Sequence, residues 1–284
     1  MLILHVAGYD GFSVSPITVK QGSFPDGTLH LDLPNYEVHT VEWRYESDAE
    51  LFTLICIAKH YAKYGLELFM PYIPHARMDR VKSHSDVFTL KYFCEIINSL
   101  NFKEVRVFDA HSNVSLALLD RVVQMSPKTA IETAIYDFTC KIAGDCGHNA
   151  RAAAQDNLVL FFPDEGAMKR YSSDFDAPYA FGIKKRDWAT GNILGLDIMN
   201  KEIVKGENVL IIDDICSRGG TFLYSAEALK EAGAERIALY VSHAEKTMID
   251  GDMYRSDNIE HIYTTNSIFK KEWDVRNKVS IIDY

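Results

Sequence analysis

Short apolar runs alternate along this chain with stretches of helical period, which favours a largely parallel sheet covered by helices. In the first half, residues 2–6, 66–70 and 105–108 read as strands. Residues 50–64 place Leu51, Leu54, Ile55 and Ala58 on one helical face, and 87–100 do the same with Leu90, Phe93, Ile97 and Leu100. A further helix is expected around 114–119. Residues 14–19 and 28–33 read as a strand pair about the turn Pro25-Asp26-Gly27. The second half repeats the logic, with strands at 157–162, 179–183, 208–212 and 237–241 and helices at 165–171 and 220–232. A polar stretch over 141–155, broken by Gly144 and Gly147, divides the two. The expected domains are therefore 1–145 and 146–284. A terminal strand over 279–283 fits either sheet. With 284 residues, 47% of them apolar, the chain has enough material for two cores.

Charge and cysteine usage narrow the function classes. Thirty basic residues against 40 acidic ones give a formal net charge of −10, the wrong sign for a duplex-binding surface, so no nucleic-acid partner is expected. No run of apolar residues is long enough for a membrane span. The start, Met1 to Ala7, lacks the basic region of a signal peptide and reads as a first strand. The five cysteines show no metal-knuckle spacing and read as free thiols. A cytoplasmic setting is the expectation.

The strongest chemical signal lies at 209–221. Four apolar residues, Val209 to Ile212, run into Asp213-Asp214, and a short loop then ends in Gly219-Gly220-Thr221 at the start of a helical pattern. A strand, a short loop and a helix N-terminus form an anion site, because unpaired N–H groups and the helix dipole point at the ligand. The glycines permit close backbone approach. Thr221 is placed either to cap the helix or to donate to a phosphate oxygen. The paired carboxylates suit the hydroxyls of a sugar. This segment resembles the signature of type I phosphoribosyltransferases and of ribose-phosphate diphosphokinases (PRPP synthetases). The resemblance implies Asp213 and Asp214 on the ribose hydroxyls, and Ser217, Arg218, Gly219, Gly220 and Thr221 around the 5-phosphate. Ser217-Arg218 stands where the family commonly has Asp-Thr. An arginine fork there suits a diphosphate as well as a monophosphate.

Other segments narrow the resemblance. Phe69 to Arg80 follows an expected strand, and its prolines stop a helix while gathering Arg77, Asp79 and Arg80. The run is similar to a Pro-Tyr-x-Pro-Tyr-Ala-Arg-Gln-Asp-Arg run of the PRPP synthetases that ordinary phosphoribosyltransferases lack. The resemblance gives Arg77, Met78, Asp79 and Arg80 to ATP, with Met78 in place of Gln and His75 in place of Tyr. Phe24-Pro25-Asp26-Gly27-Thr28 resembles the family's adenine loop, which implies Phe24 and Asp26 at the adenine of ATP across a subunit interface. Thr28 stands there in place of Glu. Asp109-Ala110-His111 and Pro163 to Arg170 resemble two further motifs, which imply His111 and Asp164 as Mg²⁺ ligands. Gly182-Ile183-Lys184-Lys185-Arg186-Asp187 resembles the start of a flexible catalytic loop. It implies Lys184 and Arg186 as the catalytic cations, and a slip of one residue would select Lys185 instead.

The resemblance covers roughly residues 14–245 and rests on the shared order of the motifs. It implies an α/β protein of two phosphoribosyltransferase-like domains, each a mainly parallel sheet flanked by helices. The implied reaction is Mg²⁺-dependent diphosphate transfer, with ATP as co-substrate, onto ribose 5-phosphate, in a homodimer or higher homo-oligomer. Three other readings stay open: the same chemistry on a 5-substituted ribose such as ADP-ribose, a phosphoribosyltransferase, and a non-catalytic regulatory relative.

Overall fold

A computed structural model describes residues 1–6, 16–144, 157–186 and 193–284, with the side chains of 184–186 and 193–195 outside the described set. The chain forms two compact units, Met1–Ser126 and Pro127–Tyr284.

The first unit holds strands β1 (Leu2–Val6), β2 (Ile17–Thr18), β3 (Gln21–Ser23), β4 (Leu29–Leu31), β5 (Val38–Trp43), β6 (Glu67–Met70), β7 (Val105–Phe108) and β8 (Val122–Met125). Its helices are α1 (Glu50–His60), α2 (Thr89–Ser99) and α3 (Asn113–Leu118). The main sheet runs β2-β1-β5-β6-β7-β8. It is parallel from β5 to β8 and antiparallel where β1 meets β2 and β5. In α2, Leu90, Phe93, Cys94 and Ile97 are the buried face, spaced as one stripe of an α-helix. They join Leu54, Ile57 and the strand residues Leu4, Val41, Leu68 and Val107 in one core.

Two details depart from the sequence reading. The strand expected over 14–19 is reduced to β2, which pairs with β1; residues 14 and 15 lie outside the described residues. The turn at Pro25-Asp26-Gly27 is real, but its hairpin joins β3 to β4. The sequence reading also passed over β5, whose Val-His-Thr-Val-Glu-Trp mixes polar with apolar residues. Its Glu42 is nonetheless buried, held by Arg44 Nε at 2.5 Å and His5 Nε2 at 3.0 Å. A buried carboxylate with such partners hides a strand from an apolar pattern.

The second unit comprises α4 (Lys128–Ala143), β9 (Leu158–Phe162), α5 (Glu165–Tyr171), β10 (Tyr179–Arg186), β11 (Ile193–Met199), β12 (Asn208–Cys216), α6 (Gly220–Glu231), β13 (Ile237–Ala244), α7 (Asp252–Arg255), β14 (His261–Thr265) and β15 (Val279–Ile282). Its sheet runs β11-β10-β9-β12-β13-β14-β15, parallel except for the β10–β11 pair. The terminal strand therefore belongs to this second sheet. Strand β12 is buried along nearly its whole length, as expected of a central parallel strand covered on both faces. Val209 and Ile211 pack with Phe222, Ala226 and Leu229 of α6 and with Leu239 and Val241 of β13. Among the described residues, no helix is long and apolar enough to cross a membrane.

Helix α4 groups with this second unit, whereas the sequence reading places it before the division at 145/146. The reason is tertiary. Tyr263 of β14 donates its hydroxyl to Asp137 Oδ2 at 2.8 Å, Lys141 pairs with the same carboxylate, and Arg236 Nη1 donates to Lys141 O at 3.3 Å. A Tyr263→Phe substitution is expected to lower stability by about 1 kcal/mol, the usual worth of one such bond, as read by urea unfolding. No change in the unfolding midpoint would mean that this bond contributes nothing to holding α4.

Candidate active site

The acidic pair lies inside a strand rather than after it. The sequence reading ends the strand at Ile212, but β12 continues to pair with β13 through Asp213↔Val241, Ile215↔His243 and Cys216↔Ala244. Successive residues of a strand face opposite sides of a sheet. Asp213 thus follows Val209 and Ile211 onto the face covered by α6, and Asp214 turns to the face of α5. Asp214 is only 4% exposed. Arg170 Nη1 of α5 donates to its Oδ2 at 2.8 Å, and the Ile215 N–H donates to its Oδ1 at 2.8 Å. A carboxylate this deep requires such a partner. Asp213 is partly exposed and accepts the Asp214 N–H at 2.9 Å.

Asp164 completes the group. It caps α5, with its Oδ1 accepting the Ala167 N–H at 3.1 Å. Burial first, and then repulsion from Asp214 and from Asp164, pushes the Asp213 carboxyl well above the usual carboxylate range. Asp164 thus lies close enough to Asp213 to act on it electrostatically, while Asp214 is paired with the Arg170 guanidinium. Arg170 belongs to a motif visible in the sequence, but its pairing with Asp214 depends on α5 packing beside β12.

The loop after β12 is held from beneath. Gly219 is the N-cap of α6 with φ +75°, a left-handed conformation that suits glycine, and a Cβ there would lie 2.6 Å from Met253 Cε. Helix α6 has no side-chain cap, and Thr221 lies within its first turn. The Ser217 and Thr247 hydroxyls are 3.2 Å apart, and the Glu245 N–H donates to Cys216 O at 2.8 Å. At Gly251 a Cβ would fall 1.9 Å from Arg218 O, so only glycine permits this approach. Gly220 faces open space and Arg218 is exposed. Sequence reasoning missed Thr247, Gly251 and Met253, which carry no motif.

The other expected residues divide between the units. In the first, Phe24 is 51% exposed at the tip of the β3–β4 hairpin and meets His30 edge-on at 5.0 Å. Asp26 accepts the Thr28 N–H at 3.0 Å and its hydroxyl at 2.7 Å, and these bonds lower the Asp26 carboxyl below its ordinary value. Thr28 therefore braces the turn. In the loop after β6, Arg77 and Arg80 are exposed, Met78 and Asp79 half-buried, and Arg80 Nε lies 3.8 Å from Asp79 Oδ1. His75 has φ +63° and pairs with Asp48 at 3.1 Å. His111 follows β7 and is half-buried. In the second unit, the backbone of Lys184 and Arg186 lies at the end of β10, paired with Leu196 and Ile193 of β11; their side chains, and residues 187–192 into which the expected catalytic loop runs, lie outside the described residues. Among the described residues, no group of three or more His, Cys, Asp or Glu is arranged to hold a metal ion. His111 and Asp164 belong to different units. As a hard oxygen donor, the Asp164 carboxylate suits Mg²⁺.

Comparison with known proteins agrees with this architecture. A family profile described as "Phosphoribosyl transferase domain" matches residues 165–278. A ribose-phosphate pyrophosphokinase of Thermococcus kodakarensis is 27% identical over 269 residues, covering 91% of this chain and 88% of that protein. Another, from Pyrococcus abyssi, is 25% identical over 279 residues, covering 94% and 89%. The chain is thus similar, over nearly its whole length, to ribose-phosphate pyrophosphokinases. At the level of fold, a phosphoribosylpyrophosphate synthetase structure from Mycobacterium smegmatis superposes with a TM-score of 0.70 at 16% identity, covering 94% of this chain and 86% of that one. The profile match spans α5, β12 and the loop at 217–221, and so includes Arg170, Asp213 and Asp214.

The raised Asp213 has a consequence for stability. Its folded form holds a proton more tightly than its unfolded form, so its contribution is most favourable at low pH and is lost as pH rises through the raised folded value. Asp213→Asn is expected to raise the melting temperature, with a gap over the unsubstituted protein that widens as pH rises above about 4, the ordinary carboxylate value. A gap that narrows over that range would contradict this electrostatic arrangement.

Proposed function

We propose that the chain transfers diphosphate from ATP to the anomeric hydroxyl of ribose 5-phosphate, giving PRPP and AMP. The observation that carries the reading is the group Asp164, Arg170, Asp213 and Asp214 beside the N-terminus of α6, at the carboxyl edge of a parallel sheet. Ligands of open α/β sheets bind at that edge. The sugar's hydroxyls meet Asp213 and Asp214, and its 5-phosphate meets the N–H groups of residues 217–221 at the start of α6. Arg170 offsets part of the negative charge the carboxylates gather. Phe24, Asp26, Arg77, Met78, Asp79 and Arg80 serve ATP, and Lys184 and Arg186 oppose the charge that builds on the transferring group. Asp164 serves Mg²⁺, which would neutralise phosphate charge when bound. The anomeric oxygen attacks the β-phosphorus, the bond to the α-phosphate oxygen breaks, and the hydroxyl proton passes to solvent. Catalysis here is largely positioning and charge stabilisation. A homodimer or larger homo-oligomer and a cytoplasmic setting belong to the same reading.

The test is to incubate the protein with Mg²⁺, ATP and ribose 5-phosphate and to measure AMP and the diphosphorylated sugar by mass. Both products are expected. Asp213→Ala should raise the acceptor KM, whereas Lys184→Ala should lower kcat by about a hundredfold with little change in KM. Failure to release AMP with any ribose acceptor would overturn the reading.

A further inference from the structure

The N–H groups that open α6 can grip a phosphate only while the loop before them keeps its shape, because such donors must be held close to their productive positions. What fixes that shape is a floor of residues 245–253, in which Met248 and Met253 are fully buried in the core of the second unit. Each of residues 216 to 219 has its own contact with this floor. Cys216 O accepts the Glu245 N–H at 2.8 Å. The Ser217 and Thr247 hydroxyls are 3.2 Å apart. Gly251 passes so near Arg218 that a Cβ would fall 1.9 Å from its carbonyl oxygen and 2.7 Å from its carbonyl carbon. Met253 lies against Gly219, where a Cβ would meet its Cε at 2.6 Å.

The hydroxyl pair has a direction. A carboxylate accepts and does not donate, and a hydroxyl has a single proton. Thr247 gives its proton to Glu245 Oε2 at 3.4 Å. The proton between Thr247 and Ser217 is therefore that of Ser217, which donates to Thr247 Oγ1. A bound phosphate offers only acceptor oxygens and needs donors. The one proton of Ser217 is directed at the floor, so its side chain braces the loop and the backbone N–H groups are left to meet the anion.

We propose that Thr247 and Gly251 are positioning residues for the acceptor's phosphate, and that the Ser217 hydroxyl serves this brace rather than the phosphate itself. This rests on the reading of residues 217–221 as the 5-phosphate site. Thr247 acts through Ser217, and Gly251 acts by admitting the Arg218 carbonyl. Both hold the loop in the form that aims its N–H groups outward, so the acceptor meets a site already in place.

The experiment measures calorimetric binding of ribose 5-phosphate to the full-length protein without ATP, and, in parallel, kcat and both KM values from AMP release. Ser217→Ala and Thr247→Val remove the same bond. Each is expected to weaken ribose 5-phosphate binding about fivefold, the scale of one neutral hydrogen bond, with kcat and the KM for ATP unchanged. The double variant should bind no more weakly than either single one, since the second substitution has nothing left to remove. Thr247→Ser, which keeps the hydroxyl, should restore most of the affinity. Gly251→Ala should weaken binding further, because its methyl group displaces the Arg218 carbonyl. Thr247 is exposed, so its variants test the brace even if Gly251→Ala fails to fold. Unchanged acceptor binding in Thr247→Val overturns the brace. So do additive losses in the double variant, which would mean that Ser217 donates to the phosphate directly, and so does an equal rise in the KM for ATP. Losses in binding without any AMP release support the brace and defeat the transfer reading. AMP release with an unchanged acceptor KM in Thr247→Val overturns the brace alone. An unsubstituted protein that binds no ribose 5-phosphate overturns both.

Discussion

The pairing of Arg170 with Asp214 is the interaction on which the second unit's site depends. A central parallel strand is buried on both faces, and a bare carboxylate there would cost several kcal/mol. The guanidinium of α5 and the Ile215 N–H absorb that cost. With Asp214 satisfied, β12 keeps pairing with β13 beyond its apolar run and carries Asp213 to the edge where α6 begins. The strand, the flanking helix and the acidic pair therefore form one device. Neither carboxylate would be placed as it is without the helix on the opposite face.

The phosphate loop obeys a second constraint, which is steric. Gly219 takes a left-handed turn against Met253, and Gly251 allows the chain to approach the Arg218 carbonyl. The loop's shape is thus shared between two stretches far apart in sequence. The family profile covers both stretches.

In the first unit, the loops marked for ATP are shaped by their own short-range bonds. Thr28 closes the turn around Asp26, and His75 reaches Asp48 from a left-handed backbone position. Both residues are departures from the family's usual motif, and both have a local bond that accounts for them. A motif can thus change its letters while the turn it encodes persists, since what the turn needs is a donor or acceptor at a given place.

Periodicity and turn chemistry alone determined most of the elements: α2, α5 and the core of β12 follow directly from where apolar residues recur. The segment 209–221 was equally legible as strand, loop and helix start, because its carboxylates, glycines and helix start are contiguous. What the pattern could not reveal were elements whose polar residues are buried with distant partners. Glu42 hid β5, Asp213 and Asp214 hid the far end of β12, and the Asp137–Tyr263 bond decided that α4 belongs to the second unit. The same holds for the Arg170 pairing and for the seating of the phosphate loop on Gly251. A sequence displays which residues are neighbours along the chain; burial of charge is decided by neighbours across space, and only the packed structure supplies those.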